Sequence, residues 1–355
     1  MMVARSWTLL KSLYRRLPLP PRAKSLLKDL IFVALAPFIR HTDAYKTWSH
    51  GAVISSPIVE PNHQAILERI LEARLDSASP KRLLAGVSDE FWFWLFTEGY
   101  RRNIDRLRSL LPGLPDEDIQ IRFTGASGDI SLQEAFSVYL LVRRLGATLV
   151  DRPIESVLDF GCGWGRGIRF FLRDVEPANL WGIDCFKLMI ELCRATNPWS
   201  QFALVDPFPP TAFDSESFDL VYAYSVFSHL SEDAHLAWLH EFKRILKPGG
   251  LVVATTRGRD FILTCAALRA NRDERFWLAS PASSFVDTEG SLVRYDRGEF
   301  LYEAVGGGDV LAPSFFGEAC IPRGYVERRW SELFEVIDYI DDRSQSLQNV
   351  IVVRK

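Results

Sequence analysis

Short apolar runs alternate with stretches of helical spacing between residues 156 and 255. The apolar runs are typical of strands buried on both faces of a parallel sheet. They predict strands at 156–160, 180–184, 201–205, 219–224 and 251–255. Two later runs, 334–339 and 350–353, are joined by a polar turn and predict an antiparallel hairpin at the edge of the sheet. The pattern therefore predicts an α/β fold.

Apolar residues three and four apart predict the helices. Ser131 and Glu134 have the spacing of a capping box, so we expect a helix that starts there and ends at Gly146. Ser88 is the predicted N-cap of an aromatic helix that we interpret as core. Further helices are expected at 60–75, from 164, at 231–246, at 261–270 and at 322–330, with a short strand at 119–123 followed by a glycine loop at 124–128.

The chain of 355 residues is long enough for one large domain or two smaller ones. A cluster of Pro112, Gly113 and Pro115 marks a boundary between a helical region, 1–115, and an α/β domain, 116–355. Residues 257–320 are longer than the usual connection after a fifth strand. We therefore expect an insertion at 257–320.

Charge is unevenly distributed along the chain. The formal net charge is −3, yet residues 1–40 carry eight Lys or Arg and one acid, Asp29. A basic amphipathic helix of this kind suits an anionic membrane surface, although it could equally be a solvated helix packed on the domain. No signal peptide is evident, so we expect a cytoplasmic protein, peripheral at the inner membrane face.

Five cysteines form no Cys-x-x-Cys pair. This pattern indicates a reducing compartment and argues against zinc or an iron–sulfur cluster, so no metal site is predicted.

The stretch after the first strand carries the candidate chemistry. Gly161, Gly163 and Gly165 allow a tight turn with positive φ, and they let a ligand approach the backbone. A dinucleotide motif has Gly-x-Gly-x-x-Gly, whereas here the third glycine comes one residue early and Arg166 takes its place. By itself this pattern is also compatible with an ordinary glycine-rich turn.

The motif Asp159-x-Gly161-x-Gly163-x-Gly165 resembles motif I of the class I S-adenosylmethionine (SAM) methyltransferases. Phe-Asp-Leu-Val at 218–221 and Lys-Pro-Gly-Gly at 247–250 extend the resemblance, which covers about residues 120–355. It implies a doubly wound, Rossmann-like sheet of seven strands with SAM as cofactor. The cofactor-binding residues it implies are Asp159, Phe160, Gly161, Cys162, Gly163, Gly165, Asp184, Cys185, Asp206, Tyr224 and Ser225.

Several of these residues have expected roles. Asp184 ends the second strand, where a carboxylate can accept hydrogen bonds from both ribose hydroxyls; its alternative role is a helix cap. The resemblance places Asp206 beside the adenine ring and makes 124–128 part of a lid. For Cys162 and Cys185 we expect small packing side chains in the cofactor loops. The string from Asp206 to Pro210 superficially resembles a DNA methyltransferase motif, but it follows the wrong strand, so no nucleic acid partner is predicted.

His229 is the candidate general base, because it lies in the loop after the fourth strand; it could instead be structural. Phe227, Tyr295 and Tyr302 are the candidate acceptor-binding residues. In the enzymes that the chain resembles, an insertion at the place of 257–320 commonly caps the acceptor pocket; the alternative is a flap that only stabilises the fold. The leading hypothesis is an O-methyltransferase for a small or lipid-linked acceptor. A weak resemblance of the leader to surface-polysaccharide enzymes suggests a sugar of a bacterial glycan. The alternatives are a lipid or aromatic metabolite as acceptor, a non-catalytic SAM-binding scaffold and a nicotinamide oxidoreductase.

Overall fold

A computed structural model describes residues 67–68, 70, 79–101, 105–271, 279–305 and 311–355. The basic leader, its predicted membrane contact and most of the helix expected at 60–75 lie outside these ranges. Among the helices within them, none combines the length and apolar character needed to cross a bilayer.

Seven strands form one mixed sheet in the order β3-β2-β1-β4-β5-β9-β8. The strands are β1 Val157–Phe160, β2 Leu180–Asp184, β3 Gln201–Leu204, β4 Phe218–Ala223, β5 Leu246–Thr256, β8 Glu335–Ile340 and β9 Asn349–Arg354. β1 to β5 are parallel, and β9 lies antiparallel between β5 and β8. A separate pair, β6 Leu301–Glu303 and β7 Glu318–Cys320, lies in the insertion. This confirms the predicted seven-stranded α/β sheet with its C-terminal hairpin.

Eleven α-helices are described within the same ranges. They are α1 Pro80–Leu83, α2 Asp89–Trp94, α3 Asp105–Leu110, α4 Glu117–Thr124, α5 Gly128–Leu149, α6 Lys187–Thr196, α7 Glu232–Ile245, α8 Arg259–Asn271, α9 Ala279–Ser283, α10 Thr288–Asp296 and α11 Arg323–Arg329. The predicted N-cap Ser88 is confirmed, since its Oγ accepts from Phe91 N. The capping box expected at Ser131 and Glu134 is wrong, because α5 begins at Gly128. At the start of α7, Ser231 Oγ accepts from Ala234 N. A π-helical turn, Leu95–Gly99, continues α2.

The apolar core has one layer on each face of the sheet. Successive residues of a strand point to opposite faces, so Val157 faces the layer of α2 and α5, and Leu158 faces the layer of α7 and α11. The aromatic helix is core, as expected: Trp92 is fully buried and its Nε1 donates to Phe170 O at 2.9 Å. Residues of α2 and α3 therefore pack against the same sheet as the α/β domain.

Three local expectations are wrong. Residues 119–123 form the helix α4 rather than a strand, because acidic residues occupy its first turn and Gly125, at φ 73°, ends it. α5 begins at Gly128, before the expected Ser131, and continues through Gly146 to Leu149. The segment after the glycine motif is a series of turns and a 3₁₀-helix, Ile168–Arg173, instead of an α-helix from 164.

Candidate cofactor and acceptor site

The glycine turn lies at the carboxyl end of β1, next to β4, where the strand order reverses and an α/β sheet opens a ligand crevice. Gly161, Gly163 and Gly165 have φ values of 69°, 52° and 76°. A Cβ on Gly161 would lie 2.4 Å from Val226 Cγ2, so this glycine allows the β4 loop to pack on the turn. A Cβ on Gly163 would meet no protein atom within 4 Å. The Gly163 backbone therefore faces open space that a ligand can fill.

Asp184 is fixed beside this turn by two backbone donors. Gly163 N donates to Oδ2 at 2.9 Å and Phe186 N donates to Oδ1 at 2.8 Å. Burial raises the pKa of Asp184, and these two backbone bonds oppose the rise. Each carboxylate oxygen can accept more than one hydrogen bond, so both can still receive a hydroxyl. The geometry therefore fits a ligand with two adjacent hydroxyls, such as a ribose.

Asp159 is the buried carboxylate of the site, with 3% of its surface exposed. Burial raises the pKa of Asp159 to about 7; the Tyr222 hydroxyl and the Arg166 guanidinium oppose the rise, and Asp184 adds to it. The group therefore changes its ionisation near neutral pH. A cationic ligand group placed against it would stabilise the ionised form.

Apolar side chains border the crevice beyond Asp184. Phe186 follows Asp184 by two residues and packs edge-to-face against Phe123, at a centroid distance of 5.8 Å. Phe123 lies in the last turn of α4 and is 37% exposed, and Leu188 and Leu204 are similarly exposed at 46% and 49%. α4 thus contacts the crevice directly before the loop at 124–128 that was predicted to be part of a lid. An aromatic ring fits such surroundings.

The remaining predicted cofactor residues surround the same turn. Cys162 is buried and Phe160 is core, whereas Cys185 is half-buried after β2. Asp206 is exposed in the loop after β3, and that loop starts where Val205 N donates to Asp184 O at 3.1 Å. The structure therefore brings Asp206 to the Asp184 side of the crevice, and it gives Cys162 the expected packing position.

Ser225 begins the loop after β4 in a left-handed conformation, with φ 62°. Its N–H donates to Thr255 Oγ1 at 2.7 Å, Thr255 Oγ1 donates to Gln348 Oε1 at 2.8 Å, and Gln348 Nε2 donates to Ser225 Oγ at 2.8 Å. This closed ring of bonds joins the β4 loop to β5 and to the start of β9. Nothing in the sequence assigned Thr255 to the site. Gln348 stood out only as one of the C-terminal residues that resemble the methyltransferase pattern.

His229 lies further along the same loop. Its Nδ1 is 2.9 Å from Gly317 O, and because a carbonyl only accepts, Nδ1 carries the proton and Nε2 has the free lone pair. The ring stacks on Phe316 with centroids 4.7 Å apart and 5° between the planes. Burial lowers the pKa of His229; Glu318 raises it and Arg257 lowers it further. A neutral imidazole with a free Nε2 is the form that a general base requires.

Two charged residues beside His229 were missed. Glu318 Oε2 lies 3.6 Å from His229 Nδ1, and Arg257 Nη2 lies 3.2 Å from the same oxygen. Glu318 is 3% exposed, and its Oε1 accepts from Ser280 Oγ at 3.0 Å. Glu318 lies in β7 of the insertion and Arg257 follows β5, so only the folded insertion brings them to His229.

The three predicted acceptor residues differ in position. Phe227 is 0% exposed and packs on Phe160 and Trp330, so the expected acceptor contact is wrong: no surface of this ring is accessible. Tyr302 packs over Gly317, since a Cβ added there would lie 2.9 Å from the ring, and this places it near His229. The Tyr295 hydroxyl instead contacts the Tyr339 hydroxyl at 3.2 Å.

In the part of the chain that the structure describes, no three His, Cys, Asp or Glu side chains form a group that could hold a metal ion.

Residues 157–250 match a family model described as a methyltransferase domain. The match covers β1 to the start of β5, with the glycine turn, Asp184 and His229. It confirms the resemblance that motif I suggested for this segment.

Among curated relatives, the chain is similar to phthiotriol/phenolphthiotriol dimycocerosates methyltransferase 1 of Mycobacterium ulcerans, with 29% identity over 46% of this chain and 58% of the relative. The corresponding methyltransferase of Mycobacterium tuberculosis H37Rv is 31% identical over 39% of this chain and 47% of the relative. Trans-aconitate 2-methyltransferase of Methylobacterium radiotolerans is 27% identical over 56% of this chain and 72% of the relative. The chain thus spans about half the length of the phthiotriol relatives.

Solved structures to which the chain is similar include the PH0226 protein from Pyrococcus horikoshii, with 18% identity, a TM-score of 0.42 and coverage of 68% of this chain and 99% of that one. Another is DesVI from Streptomyces venezuelae, with 16% identity, a TM-score of 0.40 and coverage of 68% and 98%.

Proposed function

We propose that this chain, whose residues 157–250 match a methyltransferase domain, binds S-adenosylmethionine and transfers its methyl group to a hydroxyl of an apolar acceptor. The proposal depends on the glycine turn, where the Gly163 backbone faces open space and the Gly163 N–H donates to the Asp184 carboxylate. Gly163 leaves space for a ligand, and Asp184 provides a carboxylate for its ribose. The turn does not have the glycine spacing that binds a pyrophosphate.

The residues around the turn fit each part of this cofactor. Asp184 would hold the ribose hydroxyls, and the apolar edge near Phe186 and Asp206 would hold the adenine. Asp159, buried and close to its pKa at neutral pH, would face the ammonium of the methionine portion. The bound cofactor supplies a methyl group that is already electrophilic at a sulfonium centre.

The protein's contribution to the reaction is positioning and proton removal. SAM held by Asp184 and Asp159 would supply the methyl group to the acceptor oxygen, and S-adenosylhomocysteine would be the product that leaves. The hydroxyl proton passes to Nε2 of His229, whose Nδ1 proton is held by Gly317 O. Positioning of this kind can lower a barrier by about 7 to 11 kcal/mol, and a general base adds about 10² to 10⁴-fold.

Calorimetric titration with S-adenosylhomocysteine tests the cofactor part, with NADH as a parallel ligand. Gly163→Ala is the decisive variant and Gly86→Ala its matched control, because both glycines have positive φ and open space around a new Cβ. Alanine is strained at both positions because φ is positive at each, 79° at Gly86 and 52° at Gly163, but Gly86 lies outside the crevice. We expect Gly163→Ala to weaken adenosylhomocysteine binding at least tenfold and Gly86→Ala to leave it unchanged. Absence of adenosylhomocysteine binding by the wild type would favour the scaffold hypothesis, and NADH binding would favour the oxidoreductase.

The surroundings of His229 support an apolar acceptor. Phe316 stacks on the imidazole, and the neighbouring Phe315 packs against Phe208, which is 42% exposed. Aromatic side chains thus extend from the candidate base to the surface. The relatives named for phthiotriol and phenolphthiotriol dimycocerosates support the same choice, since a triol supplies hydroxyls on a lipid.

A surface-glycan sugar remains the second acceptor predicted from the leader, and none of the relatives named above is described as acting on a sugar. Labelled methyl transfer from SAM to isoprenoid phenols and to polyisoprenyl-linked sugars separates the two. Label in the phenol alone supports the apolar acceptor, and label in the sugar alone overturns it.

A further inference from the structure

Arg166 is the charged residue of the glycine turn, between Gly165 and Gly167. Its side chain is 13% exposed, although it belongs to a loop that borders a crevice. The guanidinium lies 4.7 Å from the centre of the Tyr224 ring, a distance typical of a cation–π contact. It also borders a small cavity together with Asp159 and Gly161. The guanidinium therefore faces the space beside the turn.

Two carboxylates act on this guanidinium: Asp159, whose pKa the Arg166 charge lowers, and Glu134. Glu134, on α5, is the one carboxylate that pairs with Arg166 among the described residues, through a contact of 3.3 Å between Nη1 and Oε2. That contact uses one of the five N–H donors of the guanidinium. The Tyr224 hydroxyl also interacts with the guanidinium. Arginine binds carboxylates best through two parallel hydrogen bonds, and the single contact with Glu134 leaves N–H donors for a second carboxylate.

The amino-acid end of the cofactor has two charges to satisfy. Asp159 provides a carboxylate suited to an ammonium group. A carboxylate on the neighbouring carbon of the same ligand then needs a cation within a few ångströms, and Arg166 borders the same cavity as Asp159. Among the residues that the structure describes, no other Lys or Arg borders this cavity.

We infer that Arg166 binds the α-carboxylate of the methionine portion and that Glu134 holds the guanidinium in place until that carboxylate takes over the contact. The inference rests on the proposed function. It explains why an arginine stands where a dinucleotide motif has its third glycine: the charge that the residue recognises is a carboxylate carried next to an ammonium group.

Two ligands that differ only in this carboxylate test the inference. The affinities of SAM and of decarboxylated SAM are measured by calorimetry for the wild type, Arg166→Met and Arg166→Lys. We expect the wild type to bind SAM at least tenfold more tightly than the decarboxylated form. Arg166→Met should abolish this preference by weakening SAM alone, and Arg166→Lys should retain part of it because a point charge replaces the planar fork.

Arg122→Met is the matched control, because Arg122 is an exposed arginine on α4 and its removal changes the net charge equally. It should leave the preference unchanged. A wild type without preference, or an Arg166→Lys variant that weakens both ligands by the same factor, overturns the inference while leaving the proposed cofactor intact. A wild type that binds neither ligand overturns the proposed function as well.

Discussion

Asp159 and Asp219 are two buried aspartates at opposite ends of neighbouring strands, and their pKa values are shifted in opposite directions. Burial raises the pKa of Asp159 from 3.8 to about 7. Burial also acts on Asp219, but hydrogen bonds from Lys247 and Ser156 outweigh it and lower the pKa of that group. Replacing each by asparagine removes the charge and keeps the shape of the side chain. The two variants therefore distinguish a carboxylate that lowers the stability of the fold from one that raises it.

The raised pKa of Asp159 determines how the stability of the fold changes with pH. The folded state binds this proton more tightly than the unfolded chain does, so stability is full below the unfolded value of 3.8 and is lost as pH rises through about 7. At 1.36 kcal/mol per pKa unit, the penalty grows by about 2.5 kcal/mol between pH 5 and pH 8. Asp159→Asn removes the titrating group. The unfolding free energy of the variant minus that of the wild type should therefore be about 2.5 kcal/mol larger at pH 8 than at pH 5.

Asp219→Asn should behave in the opposite way. The Asp219 carboxylate accepts from Lys247 Nζ at 3.0 Å and from Ser156 Oγ at 2.8 Å, so its loss leaves the buried Ser156 hydroxyl and the half-buried Lys247 ammonium without a full partner. We expect it to lower the unfolding free energy at pH 8 by about 2 to 4 kcal/mol.

Urea unfolding followed by tryptophan fluorescence, at pH values from 5 to 8, measures both variants against wild type. A difference between Asp159→Asn and wild type that is the same at pH 5 and pH 8 would refute the reasoning. The stabilised Asp159→Asn variant should also bind adenosylhomocysteine at least tenfold more weakly at pH 8, because the ammonium loses its carboxylate. A costly charge retained for ligand binding is a common trade of stability for function.

The other predictions concern the candidate base. His229→Ala should reduce methyl transfer at least tenfold and leave adenosylhomocysteine affinity nearly unchanged; unchanged turnover would remove His229 from the mechanism. Because Glu318 raises the pKa of His229 and Arg257 lowers it, Glu318→Gln should move the acid limb of the pH–rate profile to lower pH, and Arg257→Met should move it to higher pH. Shifts in the same direction for both variants would contradict an electrostatic origin.

Local sequence was sufficient to predict the backbone conformation of the candidate cofactor half of the site. The glycines with positive φ, the acid at the end of β2 and the capped start of α7 each depend on neighbouring residues, and the structure has them where expected. The alternation of Ile119, Ile121 and Phe123 suggested a strand by the same kind of reasoning. It was wrong because a 2-residue period over five residues cannot outweigh an acidic first turn and a glycine at the end of a helix.

The acceptor half depends on contacts that no spacing reveals. Glu318 and Arg257 meet His229 only because β7 of the insertion passes beside the β4 loop, where Gly317 N donates to His229 O at 2.8 Å. Phe227 is likewise buried by a core that α7 and α11 build. Its position two residues before His229 did not indicate whether its ring points to the core or to the acceptor.

One loop connects the two halves. Val226 packs so closely on Gly161 that no side chain fits there, and His229 follows three residues later, with its N–H donating to Val226 O at 2.8 Å. The Ser225, Thr255 and Gln348 bonds fix the start of this loop, and Gly317 fixes its end. The position of the candidate base relative to the cofactor turn is therefore set by packing at Gly161. A substitution at that glycine should impair cofactor binding and proton removal together, whereas His229→Ala affects the second alone.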